Sequence, residues 1–184
     1  MRLLAVLSLL LLVAAPTFAQ DMPMRGNDEA RVSPNAMVMQ TIGTTEVTVT
    51  YGRPSVKDRA LFGADGEALE AYGKVWRSGA NEATVFATSA DLMVEGERLP
   101  AGTYALFTIP TEGSWTVIFN ETADQWGAYN YDEGQDALRV EVTPAELDHV
   151  EQLTYSFVNV GSDSADLHLR WGTVAVPVQL APAN

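Results

Sequence analysis

The sequence predicts an all-β fold: an antiparallel β-sandwich, jelly-roll-like, with one or two short helices. Three observations predict it. Apolar and polar residues alternate with period two in run after run, clusters of Gly and Pro punctuate those runs, and helical periodicity is scarce. Some nine or ten short strands with little helix suit a sandwich or barrel.

Taken in order, residues 1–19 read as a secretory signal peptide. Arg2 supplies a short positive region, LLAVLSLLLLVAA an apolar run, and Ala19 a small residue at the cleavage position. The run is short for a membrane span, which needs about 20 residues, and a chain with no cysteine carries no cysteine-linked lipid anchor. Residues 20–35 are polar, contain Pro and Gly, and read as a flexible leader. Residues 36–184 form the single expected domain. Within it TEVTVTY sets Val47, Val49 and Tyr51 on one face and Thr48 and Thr50 on the other. EATVFATS, DLMVEG, TYALFTI, SWTVIF and LRVEV continue the pattern. LTYSFV, LHLRW and VAVPVQL make a C-terminal meander, with a turn expected at Trp171-Gly172 and Pro177 marking an edge strand. Thr143, Pro144 and Glu146 form a capping box with proline at the first helical position, which predicts a helix over 144–150. DGEALEAYG predicts a second helical turn over 66–72.

The formal net charge is -13. Removal of residues 1–19 leaves 10 Lys and Arg against 24 Asp and Glu, a balance that disfavours nucleic acid and anionic membrane surfaces as partners. A periplasmic or extracellular location follows from the signal peptide, with no stable membrane insertion after its removal. The absence of cysteine leaves the core to hold the fold without disulfides.

Two stretches depart from plain alternation. Residues 51–82, YGRPSVKDRALFGADGEALEAYGKVWRSGANE, hold Arg53, Lys57, Arg59, Lys74 and Arg77, a basic segment in an acidic chain. Residues 120–139, NETADQWGAYNYDEGQDALR, are long for a hairpin loop and carry Trp126, Tyr129 and Tyr131. YGRPSVKDR, YGKVWRSGANEAT, LPAGTYALFTIP, WTVIFN, QWGAYNYD and DALRV stand in fixed order. On these motifs the chain resembles a bacterial exported family catalogued as domain of unknown function 2911, over roughly residues 36–160. The resemblance implies an exported, single-domain protein and no particular activity. GADGEALEAYG is longer and more acidic than that family's link, and Ser78 stands where Thr is frequent.

The candidate ligand-binding residues are Arg53, Arg77, Trp76, Asn81, Glu82, Trp126, Tyr129 and Asp136. Arg53 and Arg77 each stand near a glycine and an aromatic residue, so a guanidinium fork there suits a carboxylate or phosphate. The competing reading is internal: both arginines bridging Glu82, Asp132 or Asp136 to pin loops to the sandwich. Trp76, Trp126, Tyr129 and Tyr131 form either a stacking platform for a sugar or a hydrophobic plug. Trp115 and Trp171 fall on strand pattern and belong to the core. Glu82 and Asp136 are the candidate acid or base of a hydrolase, although salt-bridge duty suits Glu82 better. His149 and His168 have no ligand spacing, and YDEGQD lacks the EF-hand register, so no metal site and no cofactor are expected. No nucleophile elbow or phosphate loop appears. Three functional readings remain: a binding module for a carbohydrate or small anion, a structural envelope protein, or an envelope hydrolase.

N-terminal sequencing of the protein from its native envelope should return Gln20 first. Recovery of intact Met1 in the membrane fraction would contradict cleavage after Ala19.

Overall fold

In the computed structural model, which describes residues 25–26 and 29–183, the alternating runs become β1 (Asn35–Ile42), β2 (Thr45–Gly52), β3 (Phe62–Gly63), β4 (Glu70–Ala71), β5 (Thr84–Thr88) and β6 (Leu92–Val94). They continue as β7 (Glu97–Leu99), β8 (Gly102–Ile109), β9 (Trp115–Asn120), β10 (Asp136–Val142), β11 (Ala145–Val158) and β12 (Ala165–Pro182). The expected signal peptide lies outside the described residues. Antiparallel pairing builds a six-stranded sheet, β1-β2-β5-β8-β9-β10, and a four-stranded one, β11-β12-β6-β7. β3 and β4 form a small parallel pair beside them.

The two sheets bury facing rows of side chains, which makes the sandwich. Val47, Val49 and Tyr51 of β2, Val117 and Phe119 of β9, Leu153 and Tyr155 of β11, and Leu167, Leu169 and Trp171 of β12 share one core. The rings of Tyr51 and Tyr155 meet edge to face at 4.7 Å, and Trp76 stacks on Trp171 at 5.7 Å. Alternation then places Ala105, Phe107 and Ile118 on the opposite face of the larger sheet. They are buried too, because the 121–135 loop folds over them and sets Tyr131 edge-on to Phe107 at 5.2 Å.

Four local expectations fail for tertiary reasons. Residues 144–150 are not a helix. They open β11, where Ala145 pairs with Ala175 and Glu146 with Val174, and the capping box loses to a ladder offered by the long neighbouring strand β12. Residues 66–72 form turns that lead into β4, and the 3-10 turn at Glu133–Gln135, capped by Asp132, is the helical element among the described residues. The chain also does not reverse at Trp171-Gly172. Gly172, at φ 59°, pairs with Val150 within a stretch of shifted register, so the glycine makes an irregularity inside one continuous strand. Pro177 sits in an interior strand, between Ala175, the last β12 residue paired with β11, and Leu180, the first paired with β6. Its missing N–H thus falls where the strand changes partners.

Between β2 and β5 the chain leaves the larger sheet. Ser55 bridges Gln152, Val56 N–H donates to the Glu151 carbonyl at 2.9 Å, and Leu153 N–H donates to the Pro54 carbonyl at 3.0 Å. This segment therefore ties the end of β2 to β11 on the opposite sheet. The chain returns through Trp76, which exchanges backbone hydrogen bonds of 2.8 and 2.9 Å with Thr108. It then passes so close to Gly52 that a Cβ there would fall on the Ala80 carbonyl oxygen. Gly52→Ala should cost about 2–3 kcal/mol in urea unfolding. Gly113→Ala, whose new Cβ would meet nothing closer than 3.9 Å, should cost less than about 0.5 kcal/mol. Equal midpoints for the two variants would show that the crossing does not constrain the fold.

Candidate functional site

The return loop, residues 76–82, is held in a conformation its residues do not favour. Ser78 (φ 51°) and Asn81 (φ 66°) both lie in the left-handed region. The surroundings over-determine them. The Ser78 carbonyl accepts from Thr84 Oγ1 at 3.0 Å and from Tyr155 Oη at 2.9 Å, and Trp76 Nε1 donates to the Gly79 carbonyl at 3.2 Å. Asn81 Nδ2 donates to the Ser33 carbonyl at 3.0 Å, and the Asn81 carbonyl accepts from Gly127 N–H at 3.1 Å. Strain held this way occurs at binding and catalytic sites.

This loop forms one wall of a cavity of about 270 Å³. Arg77 and Asn81 line it from the loop, Lys57 and Arg59 from the 53–59 segment, Glu70 from β4, and Trp171 from β12, with Ser33 of the N-terminal arm nearby. Arg59 is anchored by bonds from Nε to the Val56 carbonyl at 2.9 Å and from a terminal nitrogen to the Ser55 carbonyl at 2.6 Å. Arg77 has neither a hydrogen bond nor a close ion pair among the described residues, and its buried Nε finds no acceptor. Among the described residues the indole N–H of Trp171 likewise finds no acceptor. A second cavity, of about 370 Å³ between β6 and β12, has Asp166 as its charged lining residue, and Asp166 is already bonded by Asn159 at 2.7 Å.

Glu70 is the carboxyl in the cavity wall. Burial penalises its charged form and outweighs the attraction of Arg77, so its pKa rises from the ordinary 4.5 to about 7. Glu82 behaves in the opposite sense. Its partial burial favours the neutral acid, but Arg31 outweighs this with bonds of 2.6 and 2.9 Å, helped by the Glu82 backbone N–H and by Arg25 at 3.6 Å. Its carboxyl is held below the ordinary range. Arg25 also donates to the carbonyls of Thr50 and Ala83, which fastens part of the expected leader to the sandwich.

The eight sequence-predicted site residues do not converge. Arg77 and Asn81 line the cavity. Arg53 points instead to β11, with Nε on the Leu153 carbonyl at 3.0 Å and a terminal nitrogen on Thr154 Oγ1 at 2.8 Å. Arg53 and Arg77 therefore share no carboxylate, and neither pairs with Glu82, Asp132 or Asp136. Trp76 is buried beneath the cavity against Trp171. Asp136 is a structural acceptor, bonded by Tyr131 Oη at 2.5 Å and Asn120 Nδ2 at 2.8 Å. Trp126 and Tyr129 are 56% and 84% exposed on a loop that the backbone bridge between Glu82 and Trp126 holds beside the cavity loop.

Sequence reasoning missed Glu70, Arg25 and Arg31. The signal for Glu70 was absent, since it is one of several acids in a segment that also holds five cations. For Arg25 and Arg31 it was two cations in an otherwise featureless arm facing an acidic domain. Among the described residues no group of three or more His, Cys, Asp or Glu is placed to hold a metal ion.

A model of the family described as "Protein of unknown function (DUF2911)" matches residues 33–180, and the chain belongs to that family. Neither the curated proteins nor the solved structures yield a match.

The two carboxyls give stability opposite slopes with pH. Glu70 binds its proton more tightly in the folded chain, so its contribution is complete below about 4.5 and is lost as pH rises through about 7. Glu82 binds its proton more weakly when folded, so its contribution is present above 4.5 and is lost on acidification through its lowered pKa. Glu70→Gln should abolish a fall on the order of 2 kcal/mol between pH 4.5 and 7, while Glu82→Gln should flatten the acid limb. Urea unfolding across pH 3–8 checks both. An unchanged profile in Glu70→Gln would mean that Glu70 titrates normally.

Proposed function

We propose that the chain is an exported binding module whose cavity takes a small anion, with Arg77 as its principal contact. One observation carries the reading. Three cations, Lys57, Arg59 and Arg77, line a concave site whose lining carboxyl, Glu70, holds its proton up to about pH 7. The site is therefore cationic at neutral pH within a chain of net charge -13. A guanidinium that makes no hydrogen bond or close ion pair among the described residues, set on a loop that the core holds rigid, is preorganised for an oxyanion. The apolar run of residues 3–15 supports export. Among the described residues no helix is long and apolar enough to cross a membrane.

The hydrolase reading has less support. Glycoside hydrolysis by two carboxylates needs a pair about 5–10 Å apart, and among the described residues Glu70 is the one carboxyl lining this cavity. Glu82, clamped by guanidinium groups, is a weak base. A purely structural role fits Arg53, Asp136 and Glu82 but leaves the buried Nε of Arg77 without an acceptor among the described residues. The exposed rings of Trp126 and Tyr129 favour a second reading, in which the anion is borne by a sugar whose ring stacks on the adjoining loop.

Arg77→Ala should remove the thermal shift given by any anionic hit from a screen of phosphates, carboxylates and sugar acids, with less than about 1 kcal/mol lost in stability. Trp126→Ala should weaken sugar-acid binding and spare inorganic anions. Retention of every anionic shift in Arg77→Ala would reject the cavity as the binding site.

A further inference from the structure

We propose that the cavity takes up an oxyanion together with a proton, Glu70 carrying the proton while the anion sits against Arg77, Lys57 and Arg59. The inference rests on the anion-binding reading above and concerns how that site is regulated.

The geometry supplies the coupling. Glu70 is held on β4 by the bond from its backbone N–H to the Leu61 carbonyl, at 2.9 Å. Its half-buried side chain lines the cavity and makes no hydrogen bond among the described residues. The charged groups that line the same space are Arg77 from the return loop and Lys57 and Arg59 from the 53–59 segment. The N-terminal arm contributes Val32 and Ser33, and β12 contributes Trp171, none of them charged. Glu70 and an incoming anion therefore compete for the same cations.

Two negative charges in one partly buried concavity raise each other's proton affinity. A strong-acid anion cannot take the proton, so Glu70 does. Protonation also changes what Glu70 offers. An ionised carboxyl only accepts hydrogen bonds, whereas a protonated one donates through its O–H. The lining then becomes a donor set, with the Arg77 guanidinium, the Lys57 ammonium and the Glu70 hydroxyl all complementary to an oxyanion. Burial already favours the neutral acid up to about pH 7, so the proton is resident below that pH and must be taken up on binding above it.

Sulfate tests this, because it does not titrate between pH 5 and 9. Calorimetry of the whole isolated protein in two buffers of different ionisation enthalpy measures protons exchanged on binding. We expect uptake approaching one proton at pH 8 and none at pH 5.5, with affinity flat in acid and falling about tenfold per pH unit above 7. The carbon-13 resonance of the Glu70 carboxyl should titrate at higher pH in saturating sulfate than without it, a readout that needs no variant. Folded Glu70→Gln should bind sulfate with the same affinity at pH 6 and pH 9. Wild-type binding that is independent of pH and takes up no proton would overturn the coupling and leave the anion site standing. So would a Glu70→Gln variant whose affinity still falls above pH 7. Absence of sulfate binding at pH 5.5, where the lining is most positive, would overturn the anion-binding reading itself.

Discussion

A crossing of two backbones with no space for a side chain positions the cavity. Gly52 ends β2 directly against the Ala80 carbonyl, and a Cβ on Gly79 would stand 2.8 Å from Thr84 Oγ1 and 3.2 Å from the Gly52 carbonyl oxygen. Only glycine lets two chains approach this closely. The approach drives the loop between Trp76 and Glu82 into left-handed backbone at Ser78 and Asn81, and the hydroxyls of Thr84 and Tyr155, from opposite sheets, hold it there. Sandwich packing thus fixes the loop, and the loop fixes Arg77. A displacement of Tyr155 by a poorly packed neighbour would reach the cavity through one hydrogen bond.

The same constraint explains how an acidic chain uses its cations. Arg53 and Arg59 satisfy backbone carbonyls where the 53–59 segment joins β11. That segment pairs with β11 over only a few residues, and the two arginines add side-chain donors to carbonyls there: Arg53 to Leu153, and Arg59 to Ser55 and to Val56, which also accepts the Arg59 backbone N–H. Arg25 and Arg31 neutralise Glu82 and attach the arm. Burial draws Arg25 down to about 10, against the pull of Glu82, and it stays charged at neutral pH. Lys57 and Arg77 both line the cavity, and among the described residues neither side chain makes a hydrogen bond or close ion pair. A basic cluster in the sequence therefore divides into structural and available charge, and the division follows from which strand edge each side chain can reach.

Period-two alternation is a direct imprint of strand geometry, so β2, β8, β9 and the core faces of β11 and β12 were legible from the sequence. The glycines of YGRP and SGAN also mark close backbone approach, though not that they approach each other. What was illegible depends on distant partners. The capping box at 143–146 is a valid local helix signal, but it is worth about 1 kcal/mol, less than the ladder that β12 supplies. Gly172 signals a turn and an irregularity equally well, and only the pairing with Val150 decides. Arg53 and Arg77 look alike in the sequence, with a glycine and an aromatic residue beside each. They separate because one lies at the seam with β11 and the other on the far side of the crossing. Glu70 escaped notice because nothing local distinguishes an acid in a solvent-facing turn from one in a cavity wall.

The acidity of the chain bears on how such a cavity would select its occupant. Exposed carboxylates spread over the surface create a field that repels anions at long range, and salt with a Debye length near 8 Å screens that field. The attraction of Arg77 and Lys57 acts within contact distance in a partly buried space and is screened less. Moderate salt would therefore remove the approach penalty before it removes the binding energy. With Glu70 ionised, the lining has three cations against one anion. With Glu70 protonated, all three are unopposed, and the local field gains one charge without any rearrangement of backbone. If the cavity takes an anion, its affinity would be set less by the number of cations than by the state of Glu70 among them, a state that burial and the neighbouring Arg77 govern.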